Sequence, residues 1–92
     1  LLVPVICLYE VFKRLYQQFG KEAALQGVSR LYRGQIVPVS DEIVLLGAQL
    51  ALKHHLSMAN SIIYATARAH NATLWTQDAH LSGLEGVKYI EK

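Results

Sequence analysis

The stretch MANSIIYATAR (residues 58–68), followed by LWTQD (residues 74–78), decides how the rest of the chain is interpreted. The first segment is rich in alanine and has apolar residues at helical spacing, so it predicts a packed helix. The second segment predicts a short, largely apolar strand that ends on a carboxylate, Asp78. A helix that leads directly into a buried strand is typical of proteins with parallel β-strands and covering helices.

Composition limits the chain to a small globular class. It has 92 residues, of which 52% are hydrophobic and 17% charged, so we predict a single domain over residues 1–92. The net charge of +2 permits an anionic partner without indicating one. The single cysteine excludes an internal disulfide and a cysteine-based zinc site. The longest apolar run, residues 1–9, is too short to span a bilayer, so we expect no membrane association and a cytoplasmic location.

Hydrophobic periodicity predicts an alternation of strands and helices. In chain order we expect a strand at 1–6, helices at 7–19 and 21–32, a strand at 35–39, helices at 41–55 and 58–70, a strand at 72–76, a turn at 78–81 and a strand at 87–90. Ser40 and Ser57 stand where N-caps are expected. This order predicts an α/β sandwich with a parallel sheet.

Three distant polar residues are predicted to meet at one edge of that sheet. Ligands of parallel α/β proteins collect at the carboxyl ends of the strands, where Glu10 and Asp78 both fall. The helix at 58–70 is ~20 Å long, and the strand that returns from it covers about the same distance. Asn60 therefore returns to the level of Asp78, provided that the helix at 41–55 lies across the sheet.

Each of these residues also has a structural alternative. Glu10 could cap its own helix, because Cys7-x-x-Glu10 has capping-box spacing, although cysteine is a poor N-cap. Asn60 has the same spacing from Ser57, which gives it a possible structural role. Asp78 could be an ordinary cap or turn residue after its strand.

Taken together, these blocks resemble the PIN-domain family, and within it the VapC-like toxins of type II toxin–antitoxin systems. The family has a strand and a helix carrying a Glu, here VICLYE (residues 5–10). It then has a D-x-x-I-x-A-T-A helix, here NSIIYATA (residues 60–67), and a strand ending T-x-D, here residues 74–78. Leu81 and the run GLEGV (residues 83–87) follow. The resemblance covers nearly the whole chain and implies a three-layer α/β/α fold with a mostly parallel sheet.

The resemblance implies a metal-dependent endoribonuclease that cleaves RNA phosphodiesters with Mg²⁺ or Mn²⁺. By position, Glu10 and Asp78 would be direct or water-mediated metal ligands, Asn60 would occupy a third ligand position, and Thr76 would be a supporting hydroxyl. Oxygen ligands of this kind suit hard divalent cations. The implied partners are an RNA substrate, a VapB-like antitoxin and a second copy in a homodimer. Candidate contacts to the RNA backbone are Lys13, Arg14 and Arg68.

Two departures from the family pattern bear on activity. The family places its first acid at the end of an N-terminal strand that is central in the strand order 3-2-1-4-5, and this chain lacks that strand. We therefore expect an N-terminally truncated domain with a gap in its sheet. In addition, Asn60 stands where the family has Asp, which keeps the shape but removes the charge and one acceptor. We predict weak metal affinity and little or no nuclease activity.

Three functional interpretations follow. The first is an impaired ribonuclease scaffold, and the second is a catalytically dead binding module for dimerisation or antitoxin binding. The third, a nucleotide- or phosphate-binding domain, is disfavoured because no glycine-rich loop follows a strand. The aromatic residues of the first two helices are expected either in the core or on a dimer face; they are Tyr9, Phe12, Tyr16, Phe19 and Tyr32.

Overall fold

The computed structural model describes residues 1–91 and contains the predicted elements in the predicted order. The strands are β1 (Leu2–Pro4), β2 (Gln35–Val37), β3 (Leu74–Thr76) and β4 (Val87–Tyr89). The helices are α1 (Ile6–Phe19), α2 (Lys21–Leu31), α3 (Asp41–His54) and α4 (Met58–Ala69), and a 3-10 turn spans Ala79–Leu81. Among residues 1–91, no helix combines the length and the apolar character needed to cross a membrane.

The strands are shorter than predicted, and local chemistry explains two of the differences. The strand predicted at 35–39 ends at Val37, before Pro38, which has no N–H to continue a ladder. The strand predicted at 72–76 begins at Leu74, because the N–H of Ala72 donates to the carbonyl of Ala67 and so still belongs to the end of α4.

The chain divides into two compact units, the N-terminal unit (Leu1–Val39) and the C-terminal unit (Ser40–Lys92, described to residue 91). In the N-terminal unit β1 and β2 pair in parallel, and α1 packs on α2. Gly20 joins the two helices at φ 94°, a conformation that side chains with a Cβ rarely adopt. The domain boundaries predicted from the sequence, one domain over 1–92, stay a prediction.

The C-terminal unit is organised around α4. Residues 61–67 of this helix are buried apart from Ile63, which is half-buried, and α3 packs on it where Gly47 lies against Ile62. The strands β3 and β4 pair in parallel, with Thr76 opposite Tyr89 at the end of the ladder. The core of the unit is formed by Ile43, Ile62, Tyr64, Ala65, Thr66, Ala67 and Leu81.

The four strands form two separate two-stranded sheets within residues 1–91, and both are parallel. Each strand therefore has a single neighbour, and each ladder is only three residue pairs long. Two-stranded ladders as short as these depend on helix packing for their stability.

Helix capping confirms two sequence predictions and rejects one alternative. The N–H of Ile43 donates to Ser40 Oγ and the N–H of Asn60 to Ser57 Oγ, each at 3.2 Å, so both serines are N-caps. The helix α1 begins at Ile6, ahead of Cys7, and has no side-chain cap. The capping-box interpretation of Cys7 and Glu10 is therefore wrong.

Core packing is also the wrong interpretation for most of the aromatic residues in the first two helices. Tyr9, Tyr16, Phe19 and Tyr32 are between 49% and 68% exposed, and Phe12 is half-buried. A unit of two helices and two short strands has too little interior to cover every apolar side chain. These rings are therefore available on the surface.

Candidate functional site

Asn60 and Asp78 lie in direct contact in the C-terminal unit. Asn60 is in the first turn of α4, and Asp78 follows the carboxyl end of β3. The Asn60 side-chain nitrogen, Nδ2, donates a 2.9 Å hydrogen bond to Asp78 Oδ2. The matched lengths of the helix and the strand predicted that these two positions lie close together, and the structure has them in contact. Their role as metal ligands stays a prediction.

The capping role that the sequence offered as an alternative for Asn60 involves only its backbone N–H. The N–H of Asn60 donates to Ser57 Oγ, which is one half of a capping box. The side chain is directed to Asp78 and not back to the N–H of Ser57. A polar side chain that is not needed for the cap is thus used for a contact with a residue 18 positions later.

Asp78 is held on both carboxylate oxygens. Oδ1 accepts a 2.9 Å hydrogen bond from the N–H of His80, so that Asp78 caps the 3-10 turn. Oδ2 accepts the hydrogen bond from Asn60 Nδ2. The backbone N–H of Asp78 donates to Thr76 Oγ1 at 3.0 Å, so the threonine hydroxyl fixes the backbone beside the carboxylate. The turn-residue alternative for Asp78 is therefore correct, and it coexists with the contact to Asn60.

These contacts lower the pKa of Asp78. The largest cause is the backbone hydrogen bond from His80, followed by the Asn60 amide, and the His80 ring adds to both. Partial burial acts in the opposite direction. Each donor favours the charged carboxylate, so Asp78 is ionised at neutral pH.

His80 is a site residue that the sequence analysis missed. Its Nδ1 lies 2.9 Å from Asp78 Oδ1, while the side chain is otherwise exposed. The spacing Asp-x-His at the start of a short helical turn was the available signal. An aspartate that caps a turn accepts the N–H two residues later, which brings that residue's side chain close.

The donors of the C-terminal unit do not fit a resident divalent cation. Mg²⁺ is held by carboxylate and other oxygen ligands, and this site offers one carboxylate. The group of Asn60 that faces Asp78 is an N–H donor, which is not a metal ligand. Within either unit, over residues 1–91, no group of three His, Cys, Asp or Glu side chains that could hold a metal occurs.

Glu10 belongs to the N-terminal unit, where it lies in the second turn of α1 and is partly exposed. Partial burial raises the pKa of Cys7, which lies one turn earlier on α1, and the negative charge of Glu10 raises it further. The thiol of Cys7 is therefore protonated at neutral pH, which disfavours a nucleophilic role. The convergence of Glu10 with Asn60 and Asp78 stays a prediction.

The three basic residues predicted to contact RNA differ in their surroundings. Lys13 and Arg14 are exposed on α1, and Lys13 Nζ lies 5.5 Å from the centre of the Tyr9 ring. The Arg68 guanidinium instead lies 3.6 Å from the carboxylate of Glu85, an exposed residue. Lys13 and Arg14 are thus the more accessible candidates, and all three roles stay predictions.

The sequence and the fold of the chain are both similar to those of known proteins. The sequence model described as the PIN domain matches residues 1–86. The fold is similar to a chain in a toxin–antitoxin complex from Klebsiella pneumoniae, with a TM-score of 0.77 and 23% sequence identity. That similarity covers 97% of this chain and 73% of the other, and at this identity it shows a shared fold. The comparison with curated protein sequences gives no match.

Proposed function

The chain belongs to the PIN domain family, and from this premise we propose that it is a VapC-like endoribonuclease scaffold whose activity Asn60 impairs. Proteins of this family are generally nucleases, which supports RNA phosphodiesters as the substrate class. The observation that carries the proposal is the contact of Asn60 with Asp78 at the carboxyl end of β3. It joins two of the four positions at which the family pattern has acids, and one of the two is an amide.

The impairment follows from the charges at the site. Family members use Mg²⁺ or Mn²⁺, and such cations need several oxygen ligands, preferably carboxylates. Asp78 is the one carboxylate of the C-terminal unit at this position, and Glu10 is the proposed second ligand from α1. Thr76 would act as a positioning residue, since its hydroxyl holds the backbone N–H of Asp78.

The surface of α1 supports RNA as the substrate. Lys13 and Arg14 follow Glu10 by three and four residues, so all three lie close together on the helix. Cations at this spacing would pair with phosphates beside the carboxylate. The exposed rings of Tyr9 and Tyr16 on the same helix offer surfaces on which bases could stack. Arg68 would add a third cation if RNA displaced Glu85 from it.

A binding module is the second candidate function. The specific observation in its favour is that the bond between Asn60 and Asp78 pairs a donor with an ionised acceptor and needs no cation to hold it. A PIN-like fold of this kind would serve in dimerisation or in binding a VapB-like antitoxin. The similarity to a chain from a toxin–antitoxin complex supports that partner class.

The test restores the missing charge. Calorimetric titration with Mg²⁺ and Mn²⁺, and cleavage of a fluorescent single-stranded RNA, are measured for the wild type and for Asn60→Asp. Asn71→Asp is the matched control, because it adds the same charge at an exposed position outside α4. We expect metal-dependent cleavage in Asn60→Asp alone, and its loss when Asp78→Asn is added.

The outcomes separate the two functions. Cleavage by the wild type with micromolar metal affinity would overturn the proposed impairment. Metal binding by Asn60→Asp without cleavage would favour the binding module. Equal behaviour of Asn60→Asp and Asn71→Asp would remove position 60 from the site altogether.

A further inference from the structure

Trp75, the single tryptophan of the chain, is exposed on one side of the sheet formed by β3 and β4. Its side chain is 64% exposed, although tryptophan is highly buried on average in folded proteins. Leu74 and Thr76 beside it on β3 are half-buried, because successive residues of a strand point to opposite sides of the sheet. One side of this sheet is therefore largely covered, and the side that carries Trp75 is open to solvent.

Lys88 lies beside Trp75 on the open side of the sheet. The two strands are parallel, and their register sets Trp75 opposite Lys88. Paired strands are about 4.8 Å apart, so the two side chains start as close neighbours. Lys88 is exposed, and over residues 1–91 it takes part in neither an ion pair nor a cation–π contact. Its charge is therefore available to a ligand that also contacts the indole ring.

The open face of the sheet is formed by five exposed residues, Thr73, Trp75, Gln77, Lys88 and Ile90. Residues two apart on an extended strand share one side, which groups the first three on β3 and the last two on β4. The N–H of Ile90 donates to the carbonyl of Thr76 at 2.8 Å, so the ladder continues as far as this residue. The open face thus presents a flat ring, a cation and two polar side chains, and it has no carboxylate.

We propose that the open face binds single-stranded RNA, with one nucleobase stacked on Trp75 and a neighbouring phosphate paired with Lys88. Every nucleobase has a flat face that stacks on an aromatic ring, and every phosphate carries a charge opposite to that of lysine. Thr73 and Gln77 supply donors and acceptors for the ribose and the base edges. The surface is separate from the carboxylate of Asp78, and it rests on the proposed function in taking RNA as the polymer.

The chemistry of the open face favours a nucleic acid over a protein partner. The core of a protein interface is depleted in lysine, whereas phosphate binding requires a cation. The open face also has no carboxylate that would repel a phosphate. Stacking on Trp75 needs an unpaired base, because a base within a duplex is covered by its neighbours on both sides. The ligand is therefore a single strand.

Trp75 and Asp78 belong to the same stretch of chain, three residues apart. An extended strand advances about 3.3 Å per residue, so the two residues are ~10 Å apart along the chain. An RNA strand held at Trp75 can therefore continue to the carboxyl end of β3, which Asp78 follows. In this arrangement Trp75 is a positioning residue that holds the substrate and takes no part in the chemical step.

The fluorescence of Trp75 reports the proposed contact directly, because the chain has no other tryptophan. A non-self-complementary RNA octamer is titrated into the wild-type chain, and the same octamer as a duplex and an octamer of abasic nucleotides are the controls. We expect the single strand to quench the emission and both controls to leave it nearly unchanged. Equal quenching by the abasic strand would overturn base stacking. No quenching by the single strand would overturn the surface as a whole.

Fluorescence anisotropy of a labelled octamer measures the contributions of the two residues separately. Trp75→Ala should weaken binding about 5- to 100-fold, as expected for the loss of one stacked base, and Trp75→Phe should retain most of the affinity. Lys88→Gln should reduce the slope of log affinity against log salt by about 0.7, the value for one phosphate contact. Lys53→Gln is the matched control, because it removes another exposed lysine, on α3. Circular dichroism confirms that each variant is folded.

The outcome is separate from that of the proposed function, because the wild type is tested without any need for cleavage. Cleavage by Asn60→Asp without quenching of Trp75 would support the nuclease and overturn this surface. Quenching without cleavage would support the surface and count against the nuclease. Equal changes of the salt slope in Lys88→Gln and Lys53→Gln would assign it to overall charge and overturn the phosphate contact.

Discussion

The side-chain amide of Asn60 donates a 2.9 Å hydrogen bond to Oδ2 of Asp78, and this contact ties the start of α4 to the end of β3. The donor is neutral and the acceptor is ionised, so the bond is charge-assisted. A carboxylate in place of the amide would turn this attraction into repulsion. The site is therefore stable in its present form without a cation between the two side chains.

Replacement of Asn60 by Asp should make stability depend on divalent cations. Two carboxylates in contact repel one another, and the loss of the amide bond should cost about 1 kcal/mol at neutral pH. Because a ligand that binds only the folded state stabilises it, Mn²⁺ should raise the unfolding temperature of this variant. Thermal unfolding with and without Mn²⁺ measures the effect.

The wild type and Asn71→Asp serve as controls for that experiment, and Mn²⁺ should leave both nearly unchanged. An equal rise in all three proteins would indicate nonspecific binding. No rise in Asn60→Asp would mean that positions 60 and 78 do not form a metal site even with both charges present.

The lowered pKa of Asp78 predicts a specific loss of stability in acid. The carboxyl group has a lower pKa in the folded chain than its unfolded value of about 3.9, because His80 and Asn60 donate to the charged form. Its contribution is therefore present above pH ~4 and is lost as the pH falls through the folded pKa. Urea unfolding measured from pH ~6 down to ~2 follows this contribution.

The variant Asn60→Ala removes the second-largest cause of the lowered pKa and should flatten that acid dependence. Asp78→Asn removes the titrating group and should flatten it further. Profiles that remain parallel to the wild type in both variants would assign the acid dependence to other carboxylates.

Gly34 should not tolerate a side chain. A Cβ at this position would lie 2.9 Å from the carbonyl oxygen of Leu1, a backbone atom that accepts the N–H of Gln35. Relief of that contact requires β1 to move away from β2. We expect Gly34→Ala to lower the free energy of unfolding by about 1–3 kcal/mol.

Gly47→Ala is the matched comparison for Gly34→Ala. A Cβ there meets Ile62 at 3.4 Å, an ordinary contact distance, and alanine is the better helix former. Its unfolding midpoint in urea should be equal to or above that of the wild type. Equal losses in the two variants would show that the close approach at Leu1 is not the cause.

The hydroxyl of Tyr64 should stabilise the turn that leads into β4. Tyr64 is buried, and its hydroxyl donates a 2.6 Å bond to the carbonyl oxygen of Glu85. Tyr64→Phe leaves that carbonyl without its donor and should cost about 1 kcal/mol. The exposed Tyr16→Phe is the control and should leave the urea midpoint unchanged; a similar shift in both would contradict the assignment.

Much of the fold could be predicted because the decisive signals are local. Ser40 and Ser57 cap the helices that they precede because a hydroxyl satisfies an N–H three residues later, whatever surrounds it. The meeting of positions 60 and 78 follows from the equal lengths of one helix and one returning strand. The prediction of the caps required no knowledge of the packing, and the meeting of positions 60 and 78 required only that the helix at 41–55 lies across the sheet.

The exposure of the aromatic side chains and the role of His80 could not be predicted from the spacing of residues in the sequence. Periodicity groups Tyr9, Tyr16 and Phe19 with the apolar residues of their helices, but it does not tell whether another element covers them. The role of His80 depends on the geometry of a turn that the sequence predicted only in outline.

The sequence by itself determined the order of the elements, their caps and the family pattern, because these depend on spacing along the chain. Only the tertiary structure decided which atom of Asn60 faces Asp78. An amide can present either its oxygen or its nitrogen, and the ionised carboxylate 18 residues away selects the nitrogen because that arrangement pairs a donor with an acceptor. The group that faces Asp78 is therefore a hydrogen-bond donor and not an oxygen that could bind a metal ion.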